Sequence, residues 1–147
     1  MSNASCNTAS ALGLWAVFLA CPVQLQASGQ LPPSTIENSQ LPNFAACRAF
    51  LEETWRVDQA KADPQPIPEE NGSRQTLIYS QGVVATDASH ASYEVEEGWQ
   101  FRSPLADIRQ IRTAYSYERR SYHCAGRHLS GTGTSGYALD GYEAMPD

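Results

Sequence analysis

The segment Gly131–Gly136 is the first place in this chain where residue spacing suggests chemistry. It reads GTGTSG and matches the G-x-G-x-x-G pattern of dinucleotide sites. In those sites the glycines follow a strand and open a helix whose N-terminus holds the pyrophosphate. Only 11 residues follow Gly136, and they carry no helical pattern. We therefore interpret the segment as a flexible hairpin loop and predict no nucleotide cofactor.

Potential metal ligands lie close together at His123, Cys124 and His128, because zinc accepts imidazole and thiolate ligands. Their spacing is not that of a zinc finger, and no second ligand pair lies elsewhere in the chain, so we predict no metal site.

A Cys–His hydrolase needs a free, activated thiolate, whereas Cys124 is better placed in a disulfide. A serine nucleophile in a G-x-S-x-G elbow is not present either. The sequence thus predicts no catalytic residue, with a small secreted hydrolase as an alternative.

Arginine clustering is the most informative charge pattern. Six arginines lie within 26 residues: Arg102, Arg109, Arg112, Arg119, Arg120 and Arg127. Tyr115 and Tyr117 are interleaved with them. Because guanidinium groups bind carboxylates and phosphates in a planar, bidentate manner, we hypothesise an Arg/Tyr-rich face that binds an anionic envelope component or an acidic protein partner. The alternative is that these arginines pair with Glu94, Glu96 and Glu97 across a sheet.

Length and net charge limit the possible classes of protein. The 147 residues are enough for one domain, and the formal net charge is −6. An acidic chain has no general affinity for nucleic acid or for anionic membranes. We therefore predict no nucleic-acid partner.

The N-terminal segment predicts export. The first 36 residues carry no charged side chain, and Ala11–Val23 is an apolar run of signal-peptide length that is too short to span a bilayer. Met1–Ser10 lacks the usual Lys or Arg. Cleavage after Ala27 divides the chain into a signal peptide (1–27), a flexible arm (28–42) and a single domain (43–147). The predicted location is the periplasm or cell envelope, or otherwise the extracellular space.

Two further modifications are open on sequence grounds. Phe18-Leu19-Ala20-Cys21 imperfectly matches a lipobox, so that Cys21 is a candidate for lipidation, and membrane attachment is expected only in that case. Asn71-Gly72-Ser73 is a glycosylation sequon that matters only in a eukaryotic source.

The cysteine count supports export and predicts one disulfide. Cys6 and Cys21 precede the cleavage site after Ala27, which leaves Cys47 and Cys124 as a pair. An even remainder in a small exported domain is typical of a disulfide bond.

Hydrophobic periodicity predicts the elements that position these residues. Asn43 caps a helix over 44–61 whose apolar stripe includes Cys47. We predict strands over 76–86, with a bulge at Gly82, over 92–102, with a bulge at Gly98, and over 115–124. A short helix over 104–112 and a closing hairpin of 128–132 with 137–142 complete the prediction.

These elements predict an α+β fold in which one long N-terminal helix packs on an antiparallel sheet of four to five strands. Together with the missing catalytic motifs, they indicate a small exported binding or interaction protein. A surface or adhesin-like structural subunit is a further alternative.

Overall fold

The computed structural model describes residues 29–145, so the predicted signal peptide and the candidate lipidation site Cys21 lie outside the described residues. The described chain forms seven strands and one α-helix: β1 (Gly29–Gln30), β2 (Ser34–Gln40), α1 (Phe44–Gln59), β3 (Ile67–Glu69), β4 (Gly72–Ala85), β5 (His90–Leu105), β6 (Gln110–Ala125) and β7 (His128–Ala144). All seven strands belong to one antiparallel sheet of order β1-β7-β6-β5-β4-β3, in which β2 also pairs with β7.

This architecture corrects the predicted fold class. The described chain is mostly β-sheet with a single short helix, and it is not an α+β fold with four to five strands. Strand content was missed throughout the sheet: β1, β2 and β3 were not predicted, and β4 to β7 are each longer than predicted. β7 is one continuous strand of 17 residues, although a hairpin was predicted there.

The glycine-rich part of β7 is a strand because its neighbours fill the space above it. A Cβ atom at Gly131 would meet the Tyr122 ring at 2.9 Å, and one at Gly136 would meet the Tyr117 hydroxyl at 2.6 Å. Large side chains on β6 therefore cover the small residues of β7. The GTGTSG segment is neither a loop nor a phosphate-binding turn.

The predicted flexible arm over 28–42 is likewise corrected. Gly29–Gln30 pairs with β7 at Tyr137 and Gly136, and Ser34–Gln40 pairs with β7 from Gly133 back to His128. Most side chains of β2 are exposed. A strand with little buried surface needs no apolar alternation, which explains why its sequence shows none.

The predicted short helix over 104–112 is also wrong. β5 continues to Leu105, a 3-10 turn covers Ala106–Ile108, and β6 begins at Gln110. Arg109 closes the turn with a left-handed φ of 50°. The apolar residues at helical spacing therefore lie around a hairpin turn.

The helix prediction is confirmed, and α1 ends two residues before the expected position. Asn43 caps it by accepting a hydrogen bond from the Ala46 backbone N–H at 2.9 Å. Cys47 and Leu51 face the sheet and are fully buried. They pack in a core with Tyr93, Val95, Tyr122 and Leu129.

The predicted disulfide is present. Cys47 on α1 is bonded to Cys124 on β6, with 6.0 Å between the two Cα atoms and 77 residues of sequence separation. Both cysteines belong to the hydrophobic core. The bond therefore ties the only described helix to a central strand of the sheet.

Candidate functional site

The register of β4, β5 and β6 divides their side chains between two faces of the sheet. Tyr93, Val95 and Glu97 of β5 stand beside Tyr122, Arg120 and Glu118 of β6, on the face that carries α1. The residues between them point to the other side because side chains alternate along a strand. We call that second side the open face, since α1, the one α-helix of residues 29–145, packs on the first.

A groove runs across the three central strands on the open face. Its volume is about 700 Å³. We call it the open-face groove. Its lining includes seven open-face residues, Tyr79, Val84, Ser92, Glu94, Glu96, Arg119 and Ser121. A neighbouring depression of about 440 Å³ shares Tyr79 and Glu96 with it and is bordered by Tyr115. The two depressions form one concave surface.

A β-bulge in β4 shapes this groove. The pairing with β5 shifts between Ser80 and Val83, so that Gln81 and Gly82 have no partner on β5. Gly82 has a φ of 81°, and its N–H donates to the Ser80 hydroxyl at 2.9 Å. Bulges bend a strand and change where its side chains point. The predicted bulge at Gly82 is thus confirmed, and it opens space beside Glu94.

Glu96 is the centre of a polar cluster in the groove. Its carboxylate accepts a hydrogen bond from Arg119 Nε at 2.5 Å and another from the Tyr115 hydroxyl at 2.7 Å. Burial, and then the hydrogen bond to Glu96, raises the pKa of Tyr115 above its usual range. The Arg119 guanidinium also lies 5.0 Å from the centroid of the Tyr117 ring. The structure therefore brings together three of the predicted site residues, Arg119, Tyr115 and Tyr117.

Gly98 makes room for this cluster. It pairs regularly with Leu77 and Tyr117, so the bulge predicted there is not present. A Cβ atom at Gly98 would collide with the hydroxyl of Tyr115. The glycine lets the Tyr115 ring lie flat over β5 and reach Glu96.

The other predicted arginines are dispersed and do not form one face. Arg102 pairs with Glu143 at 2.6 Å, six residues along the sheet from the Glu96 row. Arg112 lies on the opposite face to Arg119, because the two are an odd number of residues apart on β6. Arg109 lies in the turn before β6, and Arg127 lies in the turn after it.

Arg120 points to the α1 side and belongs to a buried ion cluster. Its Nη2 lies 2.9 Å from Asp58 and 2.9 Å from Glu97. Lys61 contacts the same two carboxylates at 2.9 and 2.8 Å, and the hydroxyl of Tyr93 donates to Asp58 at 3.1 Å. Two cations and two carboxylates balance one another, so the cluster joins α1 to β5 and β6.

The pKa shifts in the buried ion cluster agree with this pairing. Burial lowers the pKa of Arg120 and of Lys61, but their contacts with the cluster carboxylates outweigh it, so both values are raised. Burial, reinforced by the charge of Asp58, raises the pKa of Tyr93 above its usual range. All three groups are held in the protonated form.

Sequence reasoning did not identify Asp58 as a member of this cluster. Its side chain is only 1% exposed. A signal was available, since Asp58 follows Leu51 by seven residues and Cys47 by eleven, on the same stripe of the helix. A carboxylate in that stripe requires a cation from the sheet, and Arg120 provides one. The pairing of arginines with Glu96 and Glu97 across the sheet, the alternative interpretation, is observed for Arg119 and Arg120.

A small polar cluster where β4 turns into β5 has the residue types of a catalytic triad but not its geometry. It consists of Asp87, Ser89 and His90. Both Asp87 and Ser89 contact the same ring atom of His90, Nδ1, at 2.9 and 3.1 Å. In a catalytic triad the carboxylate and the nucleophile contact opposite ring nitrogens. Here the Ser89 hydroxyl also donates to Asp87 at 3.0 Å. The geometry is that of an Asx turn.

The carboxyl group of Asp87 is expected to titrate with a pKa of about 2. The backbone N–H of Ser89 donates to it at 2.7 Å, and His90 adds a second hydrogen bond. Because this pKa is lowered from 3.8, the ionised carboxylate contributes to the stability of the folded protein at higher pH. That contribution is lost as the pH falls through about 2. Carboxyl ¹³C NMR measures this value directly. In His90→Ala the pKa should rise but stay below 3.8, since the Ser89 bond remains; an unchanged value would contradict the assignment.

Comparisons with known proteins do not assign this chain to a family. No protein-family profile, curated protein or solved structure matches it. Among residues 29–145, no helix is long and apolar enough to cross a membrane. No group of three His, Cys, Asp or Glu side chains in that range is arranged to hold a metal ion.

Proposed function

We propose that this protein is an exported binding protein whose ligand lies in the open-face groove. The observation that carries the proposal is the groove itself, about 700 Å³ in volume and built across the central strands. Ligand sites of proteins usually measure about 300–1,000 Å³ and combine apolar walls with a few fixed polar groups. Glu96 and Arg119 are such groups. Their hydrogen bond, and the one from Tyr115 of the neighbouring depression to Glu96, hold them in place before a ligand arrives.

The groove favours binding over hydrolysis. None of the described residues that line it is a histidine, and its Glu96 carboxylate is already engaged by Arg119 and Tyr115. The other carboxylate of the groove, Glu94, forms no side-chain hydrogen bond with a serine or another nucleophile among the described residues, as a general base must. The histidine of the β4–β5 turn, His90, does not line the groove.

The charges of the groove change the expected ligand. Arg119 is neutralised by Glu96, and Arg120 is held by Asp58 and Glu97. Glu94 then leaves the groove with a small negative charge. These contacts support a neutral or cationic ligand rather than the anionic ligand that the number of arginines predicts.

Export is part of the proposal, and the disulfide supports it, because such bonds persist in oxidising compartments. Signal cleavage after Ala27 would leave Ser28 directly before β1, which begins at Gly29. Cleavage before Cys21 would instead leave residues 22–28 between a lipid and β1. Intact mass of the protein purified from its source should correspond to a chain that begins at Ser28 or at a lipidated Cys21. A full-length mass in the cytoplasmic fraction would contradict export.

Ligand screening by NMR tests the groove. Fragment mixtures added to the ¹⁵N-labelled protein should shift the backbone amides of 79–84, 92–96 and 119–121. Ser121→Tyr fills the groove and should abolish these shifts. Thr35→Tyr is the matched control, because Thr35 lies in the same row of the sheet two strands away and is exposed. Shifts that cluster elsewhere, or that survive in Ser121→Tyr, would contradict the proposal.

A structural or adhesin-like subunit is a second candidate, and an open strand edge favours it. β3 pairs with β4 only from Gly72 to Arg74, and the backbone of Asp63 contacts Thr76. Beyond Thr76, β4 has no outer strand partner among the described residues. Exposed edges of this kind accept a strand from another chain. Sedimentation equilibrium should then show self-association that rises with concentration, whereas a monomer throughout would remove this candidate.

A further inference from the structure

Glu94 is an acidic side chain of the groove, and no described residue is its counter-ion. It lies on the open face of β5, is exposed, and forms no ion pair or side-chain hydrogen bond with any described residue. Its neighbour Glu96, two residues away on the same face, has two hydrogen-bond donors. On the β4 side, the bulge places Gln81 and Gly82 opposite Glu94, and neither of them carries a charge. Glu94 therefore borders open space within the groove.

Tyr79 presents an aromatic ring to the same space. It is directly opposite Glu96 in the β4–β5 ladder, so it is a diagonal neighbour of Glu94. The residue is 55% exposed and lines both depressions of the concave surface. Glu94 and Tyr79 are thus diagonal neighbours that both line the groove, and no described side chain is hydrogen-bonded or ion-paired to Glu94.

A cation on the same surface already contacts both a carboxylate and a tyrosine ring. The Arg119 guanidinium contacts the Glu96 carboxylate and lies over the Tyr117 ring at 5.0 Å from its centroid. The carboxylate attracts the charge, and the negative face of the ring adds a cation–π contact. Glu94 and Tyr79 are a second pair of carboxylate and tyrosine ring in the groove, two residues along β5 from Glu96. No described side chain provides a cation that contacts Glu94.

We propose that Glu94 and Tyr79 bind a guanidinium or ammonium group of the ligand. This inference rests on the proposed function, because it names the chemistry of the ligand that the open-face groove takes. The cation can belong to an arginine or lysine side chain of a peptide or to a small organic amine. The two sources share the same contacts at Glu94 and Tyr79.

Matched peptides test the charge requirement. The probes are acetyl-Gly-Arg-Gly-amide and the same peptide with citrulline, the uncharged isostere of arginine. Ethylguanidinium serves as the small-cation arm. Titration of the ¹⁵N-labelled protein should shift the amides of Glu94, Ser121 and Tyr79 with the arginine peptide, at an affinity about tenfold higher than with citrulline. Tighter binding of the peptide than of ethylguanidinium would identify a peptide side chain as the source, and equal binding would identify a small amine.

Substitutions separate this inference from the proposed function. Glu94→Gln should weaken the arginine peptide about tenfold, and Tyr79→Leu should weaken it less. Glu70→Gln is the matched control, because it removes the same charge from an exposed turn at the other end of the sheet. Equal binding of both peptides that is lost in Ser121→Tyr but kept in Glu94→Gln would overturn the cation site and leave the groove as the binding site. No shift of the groove amides at high probe concentration would also overturn the cation site, while the fragment screen tests the groove independently.

Discussion

Replacing both Cys47 and Cys124 with alanine is expected to lower the free energy of unfolding by about 4 kcal/mol. The disulfide closes a loop with a sequence separation of 77 residues. In the chain-entropy description, closing a loop of that length lowers the conformational entropy of the unfolded chain, which stabilises the folded state by roughly 4 kcal/mol. Total stabilities of domains are about 5–15 kcal/mol. The variant should therefore lose a large share of the stability of the oxidised protein.

Chemical denaturation with and without reductant measures this effect. The oxidised wild type should unfold at a much higher urea concentration than the double variant, and the reduced wild type should approach the variant. The wild type should also have a smaller dependence of the free energy on urea, because its unfolded state stays cross-linked. Equal midpoints in the two redox states would contradict the prediction. A variant that is already unfolded in buffer would agree with it.

Arg120→Met is expected to cost about 3–5 kcal/mol of stability, whereas Arg119→Met should cost less than about 1 kcal/mol. The two arginines are adjacent in sequence but point to opposite faces. The Arg120 side chain is 14% exposed and contacts Asp58, which is 1% exposed. Its removal leaves two carboxylates in the buried ion cluster with Lys61 alone. The Arg119 side chain is 58% exposed, and water can replace its contacts.

Urea unfolding of the two methionine variants at neutral pH makes this comparison. The double variant Asp58→Leu with Arg120→Met removes one charge of each sign, so it should be more stable than the sum of its single variants predicts. Lys61→Met provides an intermediate test if Arg120→Met does not fold, because Lys61 contacts the same carboxylates but is more exposed. Equal costs for Arg119→Met and Arg120→Met would contradict a buried ion cluster.

The candidate site was only partly visible in the sequence. Tyr115, Tyr117 and Arg119 alternate on one strand, so their common face followed from the strand period. The sequence analysis named Glu96 as one of the glutamates that pair with arginines across a sheet. Its pairing with Arg119 in particular depends on the β5–β6 register. Tyr79 belongs to the site because the β4–β5 register places it opposite Glu96. Counting arginines over 26 residues did not distinguish the faces on which they lie, so their dispersal over both faces was not foreseen.

Local patterns determined the parts of this protein that depend on one element at a time. The Asn43 cap, the helix that follows it and the inward direction of Cys47 result from interactions within a few residues. The pairing of Cys47 with Cys124 then followed from the count of cysteines. Tertiary structure alone decided the rest. β7 is a strand because Tyr117 and Tyr122 cover its glycines, and Asp58 is buried because Arg120 and Lys61 neutralise it. Tyr117, Tyr122 and Arg120 all belong to β6, and only strand pairing and the packing of α1 bring them to β7 and to Asp58, which no local period records.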